Sequence, residues 1–146
     1  MLRPAYTHPY ATAQQPSKII FYDGVCPMCN SWVKRIIRWD RKKVFHFAAL
    51  ESETAQTLLT PLLPDYLKED TIIFLDDHQI YLRSNAVLRI LKYLRFPLYL
   101  GLVFFFVPGF IRDGVYDWIA ARRYTYGKRY DSCPMPPPEW RDRFLK

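Results

Sequence analysis

Two cysteines, Cys26 and Cys29, lie where a strand-like run at residues 18–22 gives way to a helical pattern. Amide N–H groups in the first turn of a helix have no partner within the helix, and together with the helix dipole they stabilise a thiolate. Cys26, at the helix start, gains most of this stabilisation, and Cys29 one turn later can close a small disulfide with it. The spacing therefore predicts thiol-disulfide exchange, with Cys26 as the attacking thiolate and Cys29 as the resolving thiol.

Three neighbours complete the candidate site. Asp23 precedes the pair, and its carboxylate has three interpretations: it raises the pKa of Cys26, it accepts the proton of Cys29, or it caps the loop through backbone hydrogen bonds. Pro27 suits the first turn of a helix, where its missing N–H is not needed. Pro27 and Met28, between the cysteines, are predicted to contact the substrate.

The third thiol, Cys133, stands before a proline run that ends at Pro138. It could resolve a mixed disulfide, could join the dithiol and one of His8, His46 and His78 in a metal site, or could be a small buried residue. Zinc sites usually show a second close pair of ligands, which is missing here, so the third interpretation is favoured, with at most a supporting role. We predict no metal and no prosthetic group.

Composition predicts one domain. With 146 residues, half of them hydrophobic, the chain suffices for one core but not comfortably for two. We expect a flexible tail at 1–17, a domain at 18–133 with a helical extension from about residue 96, and a Pro-rich tail at 134–146. Three cysteines cannot form the disulfide scaffold of a small secreted protein, and the first tail lacks the apolar run of a signal peptide, so a cytoplasmic location is predicted.

The formal charge of +7 raises the question of nucleic acid. Many of the cations cluster at 34–43, the end of the first predicted helix, where they complement the helix dipole. No nucleic-acid-binding module is recognisable in the pattern, so no nucleic-acid partner is predicted.

The elements can be placed from periodicity and turn residues. The patterns predict strands at 18–22, 44–48, 71–75 and 79–83, and helices at 26–40, at 51–59 and after an N-cap at Ser84. The first two strands should be parallel, because a helix crosses over between them, and the last two should form an antiparallel hairpin. This order is that of the thioredoxin-like α/β fold, a small mixed sheet flanked by helices, with the dithiol at the start of its first helix.

The segment from Asp23 to Cys29 resembles the D-x-x-C-x-x-C signature of the DCC family of predicted thiol-disulfide oxidoreductases. Further matches are Asp70-Thr71, residues 83–86 and 116–120, Arg123-Tyr124, Gly127 and Cys133. The resemblance implies exchange with a protein or small-molecule thiol or disulfide, and a separate thiol system as the source of electrons.

Two departures from related proteins bear on the substrate. The C-P-x-C tetrad is similar to that of glutaredoxins, which usually carry a lysine where this chain has Asp23. Thioredoxin-like proteins commonly carry a cis-proline where this chain has Glu69-Asp70-Thr71. Asp70 and Thr71 are predicted to border the substrate, and the carboxylates of Asp23 and Asp70 favour a neutral or basic disulfide.

The segment 96–111 has no charged residue and is shorter than the roughly 20 residues that a membrane-spanning helix needs. We expect it to pack as a fourth helix against the sheet or the amphipathic helix 114–123 and to bury its aromatic side chains. A partly exposed segment beside Arg112, Arg122 and Arg123 would suit a membrane surface, and this contact stays open. Two alternatives to an enzyme also stay open: a metal-binding or interaction module, and a membrane-associated adaptor.

Overall fold

The computed structural model describes residues 16–68, 71–77, 79–94, 98–122 and 135–145. Its regular elements, in chain order, are β1 (Lys18–Tyr22), α1 (Pro27–Trp39), β2 (His46–Ala49), α2 (Glu53–Leu59), β3 (Ile73–Asp76), β4 (Gln79–Leu82), α3 (Arg83–Tyr93), α4 (Gly109–Ala121) and β5 (Phe144–Leu145). Three 3₁₀ helices lie between them, at Tyr66–Lys68, Leu98–Phe106 and Pro138–Arg143.

The strands form one mixed sheet in the order β4-β3-β1-β2-β5. β1 is parallel to β2, β3 is antiparallel to β1, and β3 and β4 form the predicted antiparallel hairpin. The arrangement is compatible with a thioredoxin-like fold. It also confirms the predicted α/β class and the strand directions that the sequence indicated.

Both faces of the sheet are covered, which explains why β1 is apolar at nearly every position. Ile20 and Tyr22 point to the face on which α1 and α3 pack, whereas Ile19 and Phe21 point to the face on which α2 packs. Successive side chains of a strand alternate between faces, so one short strand contributes to two hydrophobic clusters. β1 is therefore the centre of the core and a rigid base for the loop that follows it.

The helix boundaries depend on local capping. α1 ends one residue before the predicted Asp40, and Cys26 is its N-cap rather than its first residue. α2 begins at Glu53, two residues later than predicted, because the Ser52 hydroxyl accepts the N–H of Ala55 at 3.2 Å. The N-cap predicted at Ser84 is wrong. α3 already begins at Arg83, and the Ser84 hydroxyl donates instead to the carboxylate of Asp113.

The expected burial of the 96–111 aromatics is also wrong for the phenylalanines whose side chains the structure describes, Phe104, Phe105, Phe106 and Phe110. Residues 98–106 form a 3₁₀ helix on α3, with Gly101 so close to Leu91 that an added Cβ would lie 2.8 Å from a Leu91 methyl carbon. Val103 and the three phenylalanines that follow it stay exposed. Within the described ranges, no helix has both the length and the apolarity to cross a membrane.

The described part of the predicted C-terminal tail is structured. Residues 138–143 form a 3₁₀ helix that leads into β5, and β5 pairs in parallel with β2. Arg143, 4% exposed, forms an ion pair with the buried carboxylate of Asp40 and donates to the carbonyl oxygen of Phe45. This buried ion pair fixes residues 138–145 to the end of α1. A flexible tail would make no such contact.

Candidate functional site

The loop between β1 and α1 is held by its own polar groups. The Asp23 carboxylate accepts the N–H of Val25 at 3.1 Å, and the Asp23 carbonyl accepts the N–H of Cys26 at 3.3 Å. Pro27 occupies the first turn of α1, as predicted, where no N–H is needed. The loop-capping interpretation of Asp23 therefore has a direct contact in the structure.

Asn30 supports the same loop from inside and was not singled out by the sequence analysis. Its side-chain amide is buried and donates to the carbonyl oxygens of Gly24 at 2.8 Å and Cys26 at 3.0 Å. A polar residue on the buried face of α1, four positions after Cys26, was the available signal, since buried amides need partners. Asn30 thus fixes the backbone that carries the first thiol.

The two thiols have different surroundings. The N–H of Cys29 donates to the sulfur of Cys26 at 3.4 Å, which is the contact expected of an N-cap side chain. Both cysteines are reduced, and no disulfide joins them. Cys26 is completely buried, whereas Cys29 is partly exposed. The start of α1 therefore directs an N–H at the sulfur of Cys26, while access from outside favours Cys29.

An apolar pocket with a volume of about 280 Å³ lies beside Cys29. It opens between α1, α3 and α4, and its walls are almost entirely carbon. Four predicted site residues contribute to its wall: Asp23, Met28, Cys29 and Thr71. The other residues that line it are Tyr22, Trp32, Val33, Ile36, Trp39, Ile72, Val87, Ile90, Leu91, Leu94, Tyr116, Ile119 and Ala120.

Tyr116 of α4 links this pocket to the sheet. Its hydroxyl oxygen accepts the Thr71 hydroxyl proton and the N–H of Ile72, each at 2.9 Å. Burial raises the pKa of Tyr116, and negative charge on Cys29 raises it further, although the two hydrogen bonds act in the opposite direction. The phenol therefore stays protonated and retains an O–H to donate.

Thr71, which was predicted to contact the substrate, also holds the structure of the site together. It is buried, and besides its bond to Tyr116 its hydroxyl oxygen accepts the N–H of Arg83 at 3.2 Å. It thus joins three elements: the start of β3, the start of α3 and the middle of α4. The role of Tyr116 was missed because its partners lie more than 40 positions away in sequence, although residues 116–120 already formed part of the noted resemblance.

The remaining predicted residues are distributed as follows. Pro27 is half-buried at the helix start and does not line the pocket. Asp70 and Cys133 lie outside the described residues, as do His8 and His78, so the charge expected from Asp70 and the role of Cys133 stay predictions.

His46 is remote from the dithiol. It opens β2, and burial, followed by the Arg143 guanidinium, lowers its pKa. Asp40 and Arg143 also mark the C-terminal end of α1, about 20 Å from the helix start for 13 residues. Across the part of the chain that the structure describes, no three metal-ligating side chains come together.

Comparisons with known proteins find a matching family model and similar chains. The model of the DCC1-like thiol-disulfide oxidoreductase family matches residues 20–129. The chain is 37% identical over 132 residues to the uncharacterised protein YuxK of Bacillus subtilis, covering 90% of this chain and 96% of that protein. It is also 37% identical over 121 residues to a chloroplastic DCC family protein of Arabidopsis thaliana, covering 80% of this chain and 69% of that protein. No solved structure matches the chain.

Proposed function

The chain belongs to the DCC1-like thiol-disulfide oxidoreductase family, and from this premise we propose that it exchanges electrons with a disulfide or dithiol substrate through Cys26 and Cys29. The observation that carries the proposal is the N–H of Cys29 directed at the sulfur of Cys26 at the start of α1. A sulfur in this position is stabilised as a thiolate, and the thiolate is the form that reacts with disulfides.

The proposed cycle balances two electrons. The Cys26 thiolate attacks one sulfur of the substrate disulfide, and the other sulfur leaves as a thiolate that takes up a proton. Cys29 then loses its proton and attacks the Cys26 sulfur of the mixed disulfide, which releases the second substrate thiolate. The substrate is reduced to a dithiol, and the protein keeps a Cys26–Cys29 disulfide that a separate thiol system must reduce.

The burial of Cys26 adds a condition to this order of attack. A fully covered sulfur cannot touch a substrate sulfur, so the side chains around Cys26 must open in the complex. Cys29 needs no such opening, because it already faces the pocket. If no opening occurs, the roles of the two thiols are exchanged, and trapping with serine variants distinguishes the two orders.

The pocket supports a particular kind of substrate. Its apolar wall beside Cys29 favours a disulfide that carries an apolar group next to its sulfur, and Met28 with Thr71 would border that group. The Asp23 carboxylate on the same wall disfavours an anionic substrate. We propose a neutral or basic protein or small molecule, and a cytoplasmic setting in which the dithiol can be kept reduced.

Peptide mapping tests the proposal directly. We expect the oxidised protein, digested without reductant, to yield a peptide pair that links Cys26 to Cys29, since one helical turn brings the two sulfurs within bonding reach. A Cys26–Cys133 link would contradict the mechanism. Stoichiometric zinc on protein purified under reducing conditions would favour the alternative of a metal-binding module.

Asp23→Asn separates the charge of Asp23 from its capping role. Asparagine keeps an oxygen that can accept the N–H of Val25, so the loop should hold while the negative charge is lost. If Asp23 accepts the proton of Cys29, the first attack stays nearly unchanged and release from the mixed disulfide slows, by about 100-fold for a lost general base. Stopped-flow decay of a preformed mixed disulfide measures this step.

The Asp23→Asn measurement has two other outcomes. A lower Cys26 pKa, seen as thiolate absorbance at lower pH, would mean that the carboxylate acts mainly on the charge of Cys26. Unchanged pKa and unchanged release would leave Asp23 with loop capping alone.

A further inference from the structure

Exposed apolar side chains follow one another along the 3₁₀ helix Leu98–Phe106 and α4, and together they are called the apolar patch. Its members are Val103, Phe104, Phe105, Phe106, Phe110, Ile111, Val115 and Trp118, all exposed. Phe106 is 90% exposed and Phe110 is 78% exposed, and α4 has no buried residue. A cluster of this size is unusual on a soluble surface and marks a place where something apolar binds.

The charged side chains of α4 are distributed unequally between the side that faces α3 and the outward side. Its two carboxylates are both directed at α3: Asp113 accepts the Ser84 hydroxyl, and Asp117 pairs with Arg83 at 3.7 Å. The outward side carries no carboxylate. It presents apolar side chains at helical spacing, with Ile111, Val115 and Trp118 in one row.

Two arginines accompany the patch. The Arg122 guanidinium lies 4.1 Å from the centre of the Trp118 ring, and that of Arg112 lies 5.8 Å from the centre of the Phe105 ring. Two buried nitrogen atoms of the Arg112 guanidinium have no hydrogen-bond partner in the described part of the chain. These two nitrogens are closed to an anion from outside, whereas the exposed guanidinium of Arg122 is open to one.

From this arrangement we propose that the apolar patch docks on the surface of an anionic phospholipid bilayer. The phenylalanines and Trp118 enter the boundary between headgroups and acyl chains, while the exposed Arg122 pairs with headgroup phosphates. α4, with 13 residues, is too short to cross, so it lies along the surface. The formal charge of +7 adds a longer-range attraction of the same sign.

The charge pattern favours lipid over a second copy of the chain. In a symmetric dimer through this patch, the arginines of both copies would meet without a carboxylate from the patch to pair with them. A bilayer supplies both the apolar interior and the anionic surface that the patch needs. The opposite side of α4 carries Tyr116 and Ala120 in the pocket wall, so docking would hold the pocket about one helix diameter, roughly 10 Å, from the lipid.

Vesicle flotation with the full reduced chain tests the proposal. We expect binding to vesicles of phosphatidylglycerol and phosphatidylcholine, and much weaker binding to phosphatidylcholine alone. Phe106→Glu and Phe110→Glu should each abolish binding. Leu67→Glu is the matched control, because Leu67 is 62% exposed outside the patch and the variant has the same change in charge.

The arginines have a separate readout. Arg122→Gln should lower the partition coefficient on anionic vesicles by about fivefold and should weaken its salt dependence. All variants are first checked for an unchanged thermal midpoint, which their exposed positions predict. Equal binding of wild type and Phe110→Glu would overturn the proposal. So would a wild-type dimer that does not bind vesicles and that Phe110→Glu converts to a monomer.

Discussion

Cys26→Ser is expected to abolish reduction of a disulfide substrate, lowering the rate by at least about three orders of magnitude. A serine hydroxyl is not ionised at neutral pH and cannot replace a thiolate as the attacking group. Cys29→Ser should also end turnover, but for another reason. The first attack still occurs, and the protein accumulates as a mixed disulfide on Cys26 that nothing resolves. Mass spectrometry of the intact protein and of its peptides measures both outcomes.

Cys133→Ser is the matched control for these variants. If Cys133 is a small residue without a redox step, its replacement leaves turnover nearly unchanged, while a resolving role would slow release of substrate. The order of attack is tested in the same experiment. A mixed disulfide that forms on Cys29 in Cys26→Ser, with none on Cys26 in Cys29→Ser, would exchange the two roles and match the exposure of the thiols in the resting structure.

The sequence predicted those parts of the site that depend on neighbouring residues. The position of Cys26 at the start of α1 follows from a strand, a tight loop and Pro27, all within a few residues. The apolar positions of α1 repeat at helical spacing, and Val33, Ile36 and Ile37 are buried as that period predicts. Features of this kind can be predicted because the residues involved are close in sequence, so the covalent chain keeps them close in space.

Exposure was harder to predict. The helix dipole indicated which sulfur is stabilised, but no local rule indicated that Cys26 would be covered and Cys29 open to a pocket. The same limit applies to residues 103–106, where an apolar composition predicted burial and the structure leaves the side chains exposed. Burial depends on which other segments of the chain pack against a side chain, and the local amino-acid composition does not determine that packing.

Contacts between distant residues were missed altogether. The hydroxyl of Tyr116 binds Thr71 and Ile72, and Arg143 pairs with Asp40 across 103 positions. β5 contributes only two residues, too few for an alternating pattern. These features are joined by tertiary packing, so each partner in isolation looks like an ordinary polar or charged residue.

Arg143→Met is expected to destabilise the fold by about 3–5 kcal/mol, the range for removing one partner of a buried ion pair. Asp40 and Arg143 are both nearly inaccessible, so methionine would leave the Asp40 carboxylate as a buried charge without its cation. Urea unfolding followed by far-ultraviolet circular dichroism measures the change. Arg141→Met is the matched control, because Arg141 is exposed in the same 3₁₀ helix and should change stability by less than about 0.5 kcal/mol.

A double variant identifies the source of the loss. Asp40→Asn removes the negative charge and keeps one acceptor oxygen. The native carboxylate accepts the N–H of Val44 at 3.2 Å with one oxygen and that of Phe45 at 3.0 Å with the other, so asparagine retains one of these two bonds. If the unpaired charge causes the instability, Asp40→Asn with Arg143→Met should be more stable than the sum of the single changes predicts, with a coupling of about 1–3 kcal/mol. Strict additivity would mean that Arg143 acts through its bonds to the Phe45 carbonyl instead. In either case, a large effect at Arg143 and a small one at Arg141 would establish residues 138–145 as part of the folded unit rather than a tail.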